Sequence, residues 1–338
     1  MAAAASARSI YQRIFSGIQP TGIPHLGNYL GAIRNWVDLQ SKSDQILYCV
    51  VDLHSLTVYR RAETVKQNVR DMVISLMACG VDPDKSILFQ QSKVSQHAEL
   101  AWILGCKTPV GILNRMTQWK AKKTEIGGGM EHLGLLSYPI LMAADILLYR
   151  ASHVPVGDDQ LQHLELARHI ARTFNGMYNT NIFPEPEPIL GDVTRVMSFR
   201  DPIRKMSKSD QSANSRINLT DTDDLISKKI RLAVTDTISS VTFDLDKRPG
   251  VSNLVLMYAA LTHQTPNDVI QQMMGKDTSQ LKAELIECTV STLRPIRKKI
   301  TELQREEAFI VQKINEGCRK ATDLASQHFC DIKSLIGI

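Results

Sequence analysis

The sequence predicts an α/β fold in which a doubly wound parallel sheet is followed by an α-helical C-terminal domain. Up to about residue 220, short apolar runs of strand length alternate with segments in which apolar residues recur at helical spacing. This alternation is typical of parallel strands joined by helical crossovers. Beyond that point only helical periodicity remains. We therefore predict a sheet domain over residues 14–213 and a helical region over residues 214–338, after an N-terminal segment of residues 1–13.

The predicted elements follow in regular order along the chain. Residues 14–16 form the first strand candidate, and a Gly/Pro-rich loop at 17–24 separates it from a helix with Leu26, Leu30 and Ile33 on one face. Further strands are predicted at 46–51, 86–90 and 153–156, with helices at 63–79 and from residue 161 onward. The C-terminal helices are predicted at 225–234, 252–261, 266–274 and 294–325.

The composition limits the class of protein. A chain of 338 residues with 43% apolar and 6% aromatic content fits a protein of one large and one smaller domain, or of two comparable domains. The longest apolar run, at 133–149, contains Ser137, Pro139 and Asp145 and is too short to span a bilayer. The six cysteines form no Cys-x-x-Cys pair, so we expect no zinc site, no disulfide framework and a reducing compartment.

The net charge of the chain says less about its class than the composition does. The net charge of +5 is compatible with a polyanionic partner but is common in proteins that bind none. Residues 1–13 carry Ala, Ser and Arg, and no acidic residue appears before Asp38. This composition is typical of an organellar targeting segment. A disordered N-terminal tail is the alternative interpretation.

Two loops are suited to phosphate. In the first, at residues 25–28, His25 and Asn28 can donate hydrogen bonds, Gly27 has no Cβ, and the following helix presents free N–H groups. The second carries Lys205 and Lys208, whose ammonium groups suit charge that develops on a leaving pyrophosphate. Either loop alone is a weak signal. Because Walker and Gly-x-Gly-x-x-Gly motifs are absent, together they favour a triphosphate held from two sides by another type of site.

Five motifs in order carry a resemblance to a known family. They are residues 16–22 (SGIQPTG), 26–31 (LGNYLG), 142–149 (MAADILLY), 154–160 (VPVGDDQ) and 205–210 (KMSKSD). They resemble the successive signatures of bacterial-type tryptophanyl-tRNA synthetases, which are class I aminoacyl-tRNA synthetases. The resemblance runs from about residue 15 to the C-terminus and is weakest in the helical third.

The resemblance implies a Rossmann-like catalytic domain, a helical anticodon-binding region and a homodimer. It also implies a two-step reaction, in which L-tryptophan is activated by ATP with Mg²⁺ and the acyl group passes to tRNA(Trp). Catalysis of this kind needs positioning and charge stabilisation and no nucleophilic side chain. Three rivals remain open: a tyrosine-specific synthetase, a small-molecule adenylyltransferase, and a non-catalytic descendant. Together with the composition of residues 1–13, a bacterial-type enzyme suggests the mitochondrial matrix, with the cytoplasm of a bacterium as the alternative.

Asp145 is the candidate specificity residue. It lies inside an apolar helical run, where an unpaired carboxylate is costly to bury. The indole N–H of tryptophan is only a donor, so a buried acceptor complements it. The alternative is an ion pair between Asp145 and Arg150.

The resemblance assigns the other site residues. Lys205 and Lys208 would be catalytic, and no protein metal site is expected. Tryptophan would contact Asp145, Tyr138, Met142, Gln160, Phe15 and His54, although core packing explains Phe15 and Met142 equally well and His54 is as readily a structural histidine. ATP would contact Gln19, Pro20, Thr21, Gly27, Asn28, Lys122, Gly157, Asp158, Asp159, Val196, Lys205, Met206, Ser207, Lys208 and Ser209. Asp158 stands where the family often has Glu, and Gln211 where it often has Pro.

Two basic helical stretches are candidates for tRNA phosphate contacts. An exposed, solvated helix face is the simpler interpretation for any one of these residues. The first stretch comprises Lys228, Lys229 and Arg231, and the second Arg294, Arg297, Lys298, Lys299 and Arg305.

Overall fold

The computed structural model describes residues 11–120, 132–191, 195–208 and 210–338. Predictions for residues 1–10, Lys122 and Ser209 therefore lie outside the described residues. The described strands form one parallel sheet of order β3-β2-β1-β4-β5. The strands are β1 (Tyr11–Ile18), β2 (Ser43–Val50), β3 (Ile87–Gln90), β4 (His153–Val156) and β5 (Glu187–Leu190). The strand order reverses between β1 and β4, as in a doubly wound sheet.

The sheet agrees with the predicted strands and adds one. β4 has the predicted bounds, while β1 begins at Tyr11, so that residues 11–13 belong to the sheet and not to a tail. β5 was not predicted, because Pro186 and Pro188 argue against a strand. β5 is an edge strand, where a missing N–H is tolerated.

The helices cover both faces of the sheet and form the C-terminal third. A π-helical segment at Tyr29–Ile33 joins the first two helices into one stretch. The bounds are α1 (Leu26–Asn28), α2 (Arg34–Leu39), α3 (Asp52–Ser55), α4 (Ala62–Ala78), α5 (Gln96–Gly105), α6 (Val110–Leu113), α7 (Leu133–Leu148), α8 (Leu161–Tyr178), α9 (Asp223–Arg231), α10 (Pro249–Thr262), α11 (Pro266–Gln272), α12 (Thr278–Leu303) and α13 (Glu307–Ile336). The prediction of a single helix at 294–325 is wrong, because α12 ends at Leu303 and a new helix, α13, begins at Glu307.

Alternate strand residues supply two cores, one on each face. Ile14, Ile46 and Tyr48 pack with α2 and α4 on one face. Their neighbours Phe15 and Leu47 pack with α5, α7 and α8 on the other. This is the period of two that a strand imposes when both faces are covered. Among the described helices, none combines the length and apolar character that crossing a membrane requires.

The last helix, α13, returns to the sheet domain and packs against β3. A Cβ built at Gly317 would lie 1.9 Å from the carbonyl oxygen of Leu88, so only glycine permits this approach. His328 Nδ1 donates to the carbonyl of Leu148 at 3.0 Å, because a carbonyl oxygen can only accept and Nδ1 must therefore carry the proton. The helix therefore covers an edge strand and contacts the C-terminal end of α7. The domain boundary near residue 214 stays a prediction.

Candidate active site

A cavity of about 620 Å³ opens at the carboxyl ends of β1 and β4, where the strand order reverses. This is the position at which doubly wound sheets bind ligands, and the volume suits a small-molecule site. Most predicted site residues line it: Phe15, Gln19, Gly27, Asn28, His54, Tyr138, Met142, Asp145, Gly157, Asp158, Asp159, Gln160, Val196, Lys205 and Met206.

Four predicted residues do not line this cavity: Pro20, Thr21, Ser207 and Lys208. Other lining residues were not predicted, among them Gln118, Ile146, Val154, Val156 and Arg195. Val154 and Val156 could have been found, since alternate residues of β4 lie on one face and β4 ends at the cavity. Gln118 and Arg195 carry no comparable signal in the sequence.

Asp145 is 2% exposed and accepts hydrogen bonds at both carboxylate oxygens. Oδ1 accepts from Gln91 Nε2 at 2.7 Å and from His97 Nδ1 at 2.7 Å. Oδ2 lies 2.9 Å from His54 Nε2. His54 lines the cavity, whereas Gln91 and His97 do not. The buried carboxylate is therefore compensated within the protein, as burial of a charge requires.

The alternative pairing of Asp145 with Arg150 is wrong. Arg150 forms an ion pair with Asp331 of α13 at 2.6 Å. Burial alone would raise the pKa of Asp145, but the hydrogen bonds from His54 and His97 outweigh it and hold that pKa below its ordinary value. Asp145 is thus an anion at neutral pH, with an oxygen toward the cavity.

A second polar group lies at the rim, around Tyr138. Its hydroxyl donates to Gln118 Oε1 at 3.0 Å and lies 2.9 Å from His163 Nε2. Burial raises the pKa of Tyr138 to about 12, so the phenol stays protonated. Gln118 in turn donates to the carbonyl of Asp159 at 3.1 Å, and Gln160 donates to the Asp159 carboxylate at 2.8 Å. Tyr138 and Gln160, which are predicted to contact tryptophan, are thereby connected to Asp159, which is predicted to contact ATP.

The first phosphate loop is held by a reciprocal cap at the start of α1. Asn28 N–H donates to His25 Nδ1 at 3.2 Å, and His25 N–H donates to Asn28 Oδ1 at 3.1 Å. Burial, with the nearby charges of Lys208, Arg216 and Lys205, lowers the pKa of His25 to about 3. His25 is therefore neutral with its proton on Nε2, where it can donate to an anion.

The lysine loop places its two cations on different oxygens. Lys205 Nζ lies 3.7 Å from Asp159 Oδ1 at the cavity, while Lys208 Nζ donates to the carbonyl of Gly22 at 2.7 Å. Burial, and secondarily Arg216, lowers the pKa of Lys208 to about 8. The backbone of the loop is fixed by the Met206 N–H, which donates to the carbonyl of Val196 at 3.0 Å. Val196 is one of the residues predicted to contact ATP, and its carbonyl already accepts this one hydrogen bond.

The predicted tRNA cations divide into paired and exposed residues. Lys229 is buried and pairs with Asp221, so its assignment to a phosphate contact is wrong. Arg294 and Arg297 both bind the carboxylate of Asp223, which links α12 to α9. Exposed cations remain at Lys228, Arg231, Lys298, Lys299 and Arg305, of which Lys299 also lies 3.5 Å from the carboxylate of Glu302.

The arrangement offers cations for phosphates, a neutral histidine donor and a buried anionic acceptor. Within the part of the chain that the structure describes, no three His, Cys, Asp or Glu side chains are grouped to hold a metal ion. This combination suits charge stabilisation on a nucleotide beside selective binding of a donor group.

Comparisons with known proteins place this site in context. The family model described as tRNA synthetases class I (W and Y) matches residues 11–294. The chain is 45% identical to the tryptophan–tRNA ligase of Brucella melitensis, over 96% of this chain and 97% of that protein. The crystal structure of tryptophanyl-tRNA synthetase from Mycoplasma pneumoniae superimposes with a TM-score of 0.89 at 36% identity, covering 97% and 98% of the two chains. The Campylobacter jejuni synthetase complexed with ADP and tryptophan superimposes with a TM-score of 0.79 at 32% identity, covering 97% and 100%.

Proposed function

The chain belongs to the class I tRNA synthetases of the W and Y group, and we propose that it acts as a tryptophan–tRNA ligase. In the first step, the carboxylate oxygen of L-tryptophan forms a bond to the α-phosphorus of ATP as the bond to pyrophosphate breaks. In the second, the ribose 2′-hydroxyl at the end of tRNA(Trp) takes the acyl group and AMP leaves. Mg²⁺ would be carried by the nucleotide, where it neutralises phosphate charge.

The observation that carries this proposal is the buried Asp145 carboxylate at the cavity wall. Its Oδ2 is shared with His54 and retains acceptor capacity for the indole N–H. Phe15 and Met142 line the same cavity and supply apolar surface for the ring. A site built to bind a substrate N–H rejects analogues that lack it by about 10⁴- to 10⁵-fold, because the buried acceptor is left unpaired.

The polar end of tryptophan would bind Tyr138 and Gln160, and the nucleotide would lie between the two phosphate loops. His25 and Asn28 donate from one side, and Lys205 and Lys208 approach from the other. Such preorganised donors are worth most where charge develops, on the departing pyrophosphate. For tRNA phosphates, the exposed cations at Lys298, Lys299 and Arg305 on and after α12 are the candidates.

The test is tryptophan-dependent exchange of labelled pyrophosphate into ATP, measured across the twenty amino acids. Exchange with tryptophan alone supports the proposal. Equal exchange with tyrosine would indicate a tyrosine-specific or relaxed synthetase. Absence of exchange with every amino acid would indicate a non-catalytic descendant.

We also propose that the enzyme is a homodimer. Large apolar side chains are exposed on α5, on α6 and on α7, against which α5 and α6 each pack: Trp102 is 76% exposed, Val110 58% and Leu133 77%. A second copy of the chain would cover this surface. Light scattering should give twice the chain mass, and Trp102→Glu should yield monomers; a wild-type monomer would refute the proposal.

For the location, the relatives named above are bacterial, which agrees with the cytoplasm of a bacterium. A mitochondrial matrix location rests only on the composition of residues 1–13. Subcellular fractionation distinguishes the two.

A further inference from the structure

Three buried side chains lie behind Asp145, on the side away from the cavity. Gln91, His97 and Tyr149 are each 0% exposed, and none lines the cavity. We propose that His97, held by the hydroxyl of Tyr149, is a positioning residue for tryptophan recognition that keeps Asp145 turned with Oδ2 toward the indole. This inference rests on the function proposed above.

Gln91 has one possible orientation. Its Oε1 accepts the backbone N–H of Leu53 at 3.1 Å, so its amide nitrogen must face Asp145. The amide donates to Oδ1 of Asp145 at 2.7 Å. Gln91 therefore supplies one fixed donor to the oxygen away from the substrate.

His97 also has one consistent tautomer. Its Nδ1 lies 2.7 Å from Asp145 Oδ1, and a carboxylate can only accept, so Nδ1 carries the proton. Nε2 then accepts from the hydroxyl of Tyr149 at 2.9 Å. Burial raises the pKa of Tyr149 well above its ordinary value, which keeps that hydroxyl protonated. These proton positions follow from the chemistry of the partners.

Aromatic packing fixes the ring of His97 as well. The ring lies 5.8 Å from that of Phe89 and 5.4 Å from that of Tyr149, measured between centroids. Tyr149 stacks on Phe15, a cavity-lining residue, at 5.7 Å with an interplanar angle of 12°. His97 and Tyr149 together therefore contact the cavity-lining ring of Phe15 on one side and the carboxylate of Asp145 on the other.

The two oxygens of the Asp145 carboxylate have different roles. With Gln91 and His97 both on Oδ1, that oxygen has its lone pairs in use, and rotation of the carboxylate would break two charge-assisted hydrogen bonds. Among the residues that the structure describes, Oδ2 accepts from His54 alone and keeps acceptor capacity toward the cavity. Without the His97 donor, Asp145 can turn, and its preference for a substrate N–H should weaken.

The experiment measures discrimination and not activity alone. Pyrophosphate exchange is measured with L-tryptophan and with β-(3-benzothienyl)alanine, in which sulfur replaces the indole N–H. The variants are His97→Leu and His97→Asn, which match each other in shape. Asparagine places an amide nitrogen near the position of Nδ1 and can donate to Asp145, whereas leucine cannot.

We expect the ratio of kcat/KM for tryptophan to that for the analogue to fall about 10-fold or more in His97→Leu, the equivalent of one charge-assisted hydrogen bond. His97→Asn should recover most of the ratio. Loss of folded enzyme lowers both rates equally and leaves the ratio unchanged, so an unchanged ratio in His97→Leu would show a merely structural role. A ratio as low in His97→Asn as in His97→Leu would also overturn the inference.

Tyr149→Phe keeps the proposal testable if the His97 variants fail to fold. It removes one oxygen and leaves Nε2 of His97 without its donor, so the ratio should fall several-fold; an unchanged ratio would refute the part assigned to Tyr149. Failure of the proposed function has a different signature, since the wild-type enzyme would then show no tryptophan-dependent exchange.

Discussion

Lys208 should lose its charge as the pH rises through about 8. Burial and the neighbouring Arg216 lower the pKa of its ammonium group from 10.5 to about 8. A lowered lysine pKa means that the cation is present below about pH 8 and is lost as the pH rises through that value. Because a triphosphate attracts only the charged form, we expect ATP to bind with uptake of a proton above pH 8.

The size of the effect follows from the titration. The pH dependence of kcat/KM reports the ionisations of the free enzyme, so kcat/KM for ATP should fall about tenfold per pH unit above pH 8. Near pH 9.5 only about one lysine in thirty is charged, which predicts a fall of about 30-fold. Complete removal of one preorganised donor to a transition state lowers the rate about 10²- to 10³-fold. The fall of about 30-fold expected at pH 9.5 is smaller than this limit, so kcat/KM should still be falling at that pH.

The assay is pyrophosphate exchange at saturating tryptophan with ATP varied, from about pH 6.5 to 9.5. Lys208→Arg is the matched control, since its guanidinium remains charged throughout. Tryptophan, ATP and Mg²⁺ titrate identically in both reactions, so the ratio of the wild-type to the variant kcat/KM isolates Lys208. A ratio that stays flat to pH 9.5 would refute the assignment of a perturbed lysine at the nucleotide.

Two further substitutions test the site and the fold. In Asp145→Asn, the new amide should keep its carbonyl oxygen on Gln91 and His97 and turn its NH₂ group toward the indole N–H, so that two donors face each other. We expect kcat/KM for tryptophan to fall about 100-fold, with little change for an analogue that lacks the N–H. Equal losses for both substrates would contradict this. Gly317→Ala should lower the free energy of unfolding by about 1–3 kcal/mol or more in urea titrations, because its Cβ would meet the carbonyl of Leu88. Gly176→Ala is the control, because no atom lies within 4 Å of its added Cβ. Alanine at this position of α8 should raise the free energy of unfolding by about 0.5–1 kcal/mol. Equal effects of the two substitutions on the free energy of unfolding would contradict the prediction.

The fold was largely predictable because its local patterns agree with its tertiary arrangement. β4 lies within its predicted bounds, and α4 differs from its predicted helix by one residue at each end. The edge strand β5 and the break between α12 and α13 were not predictable in the same way. β5 contains Pro188 and is stabilised by its pairing with β4, which no local pattern reveals. The break before Glu307 interrupts a helical pattern with no Gly or Pro to mark it.

The candidate site was predictable where function requires special residue types. A carboxylate within an apolar helix demanded a partner, and this requirement could be read from the sequence at Asp145. The identity of the partners could not, because Gln91 and His97 come from the segment after β3 and from α5. Arg150, which is near Asp145 in sequence, forms its ion pair with Asp331 instead. Sequence proximity was a poor guide because the compensation is tertiary.

The two lysines of the loop, three residues apart, have different oxygen partners, and this difference bears on how the nucleotide would be bound. Lys205 lies beside the carboxylate of Asp159, which follows β4, and Lys208 binds the backbone carbonyl of Gly22, a residue with φ 99° in the Gly/Pro-rich loop after β1. Lys208 has an oxygen partner before any phosphate arrives, so binding exchanges one oxygen for another and avoids much of the cost of stripping water from its ammonium group, whereas the side chain of Lys205 is 59% exposed and still hydrated. The exchange is uneven. Asp159 carries charge and holds Lys205 electrostatically, whereas Gly22 offers only a dipole, and Lys208 is therefore the cation that a triphosphate should capture with the greater gain.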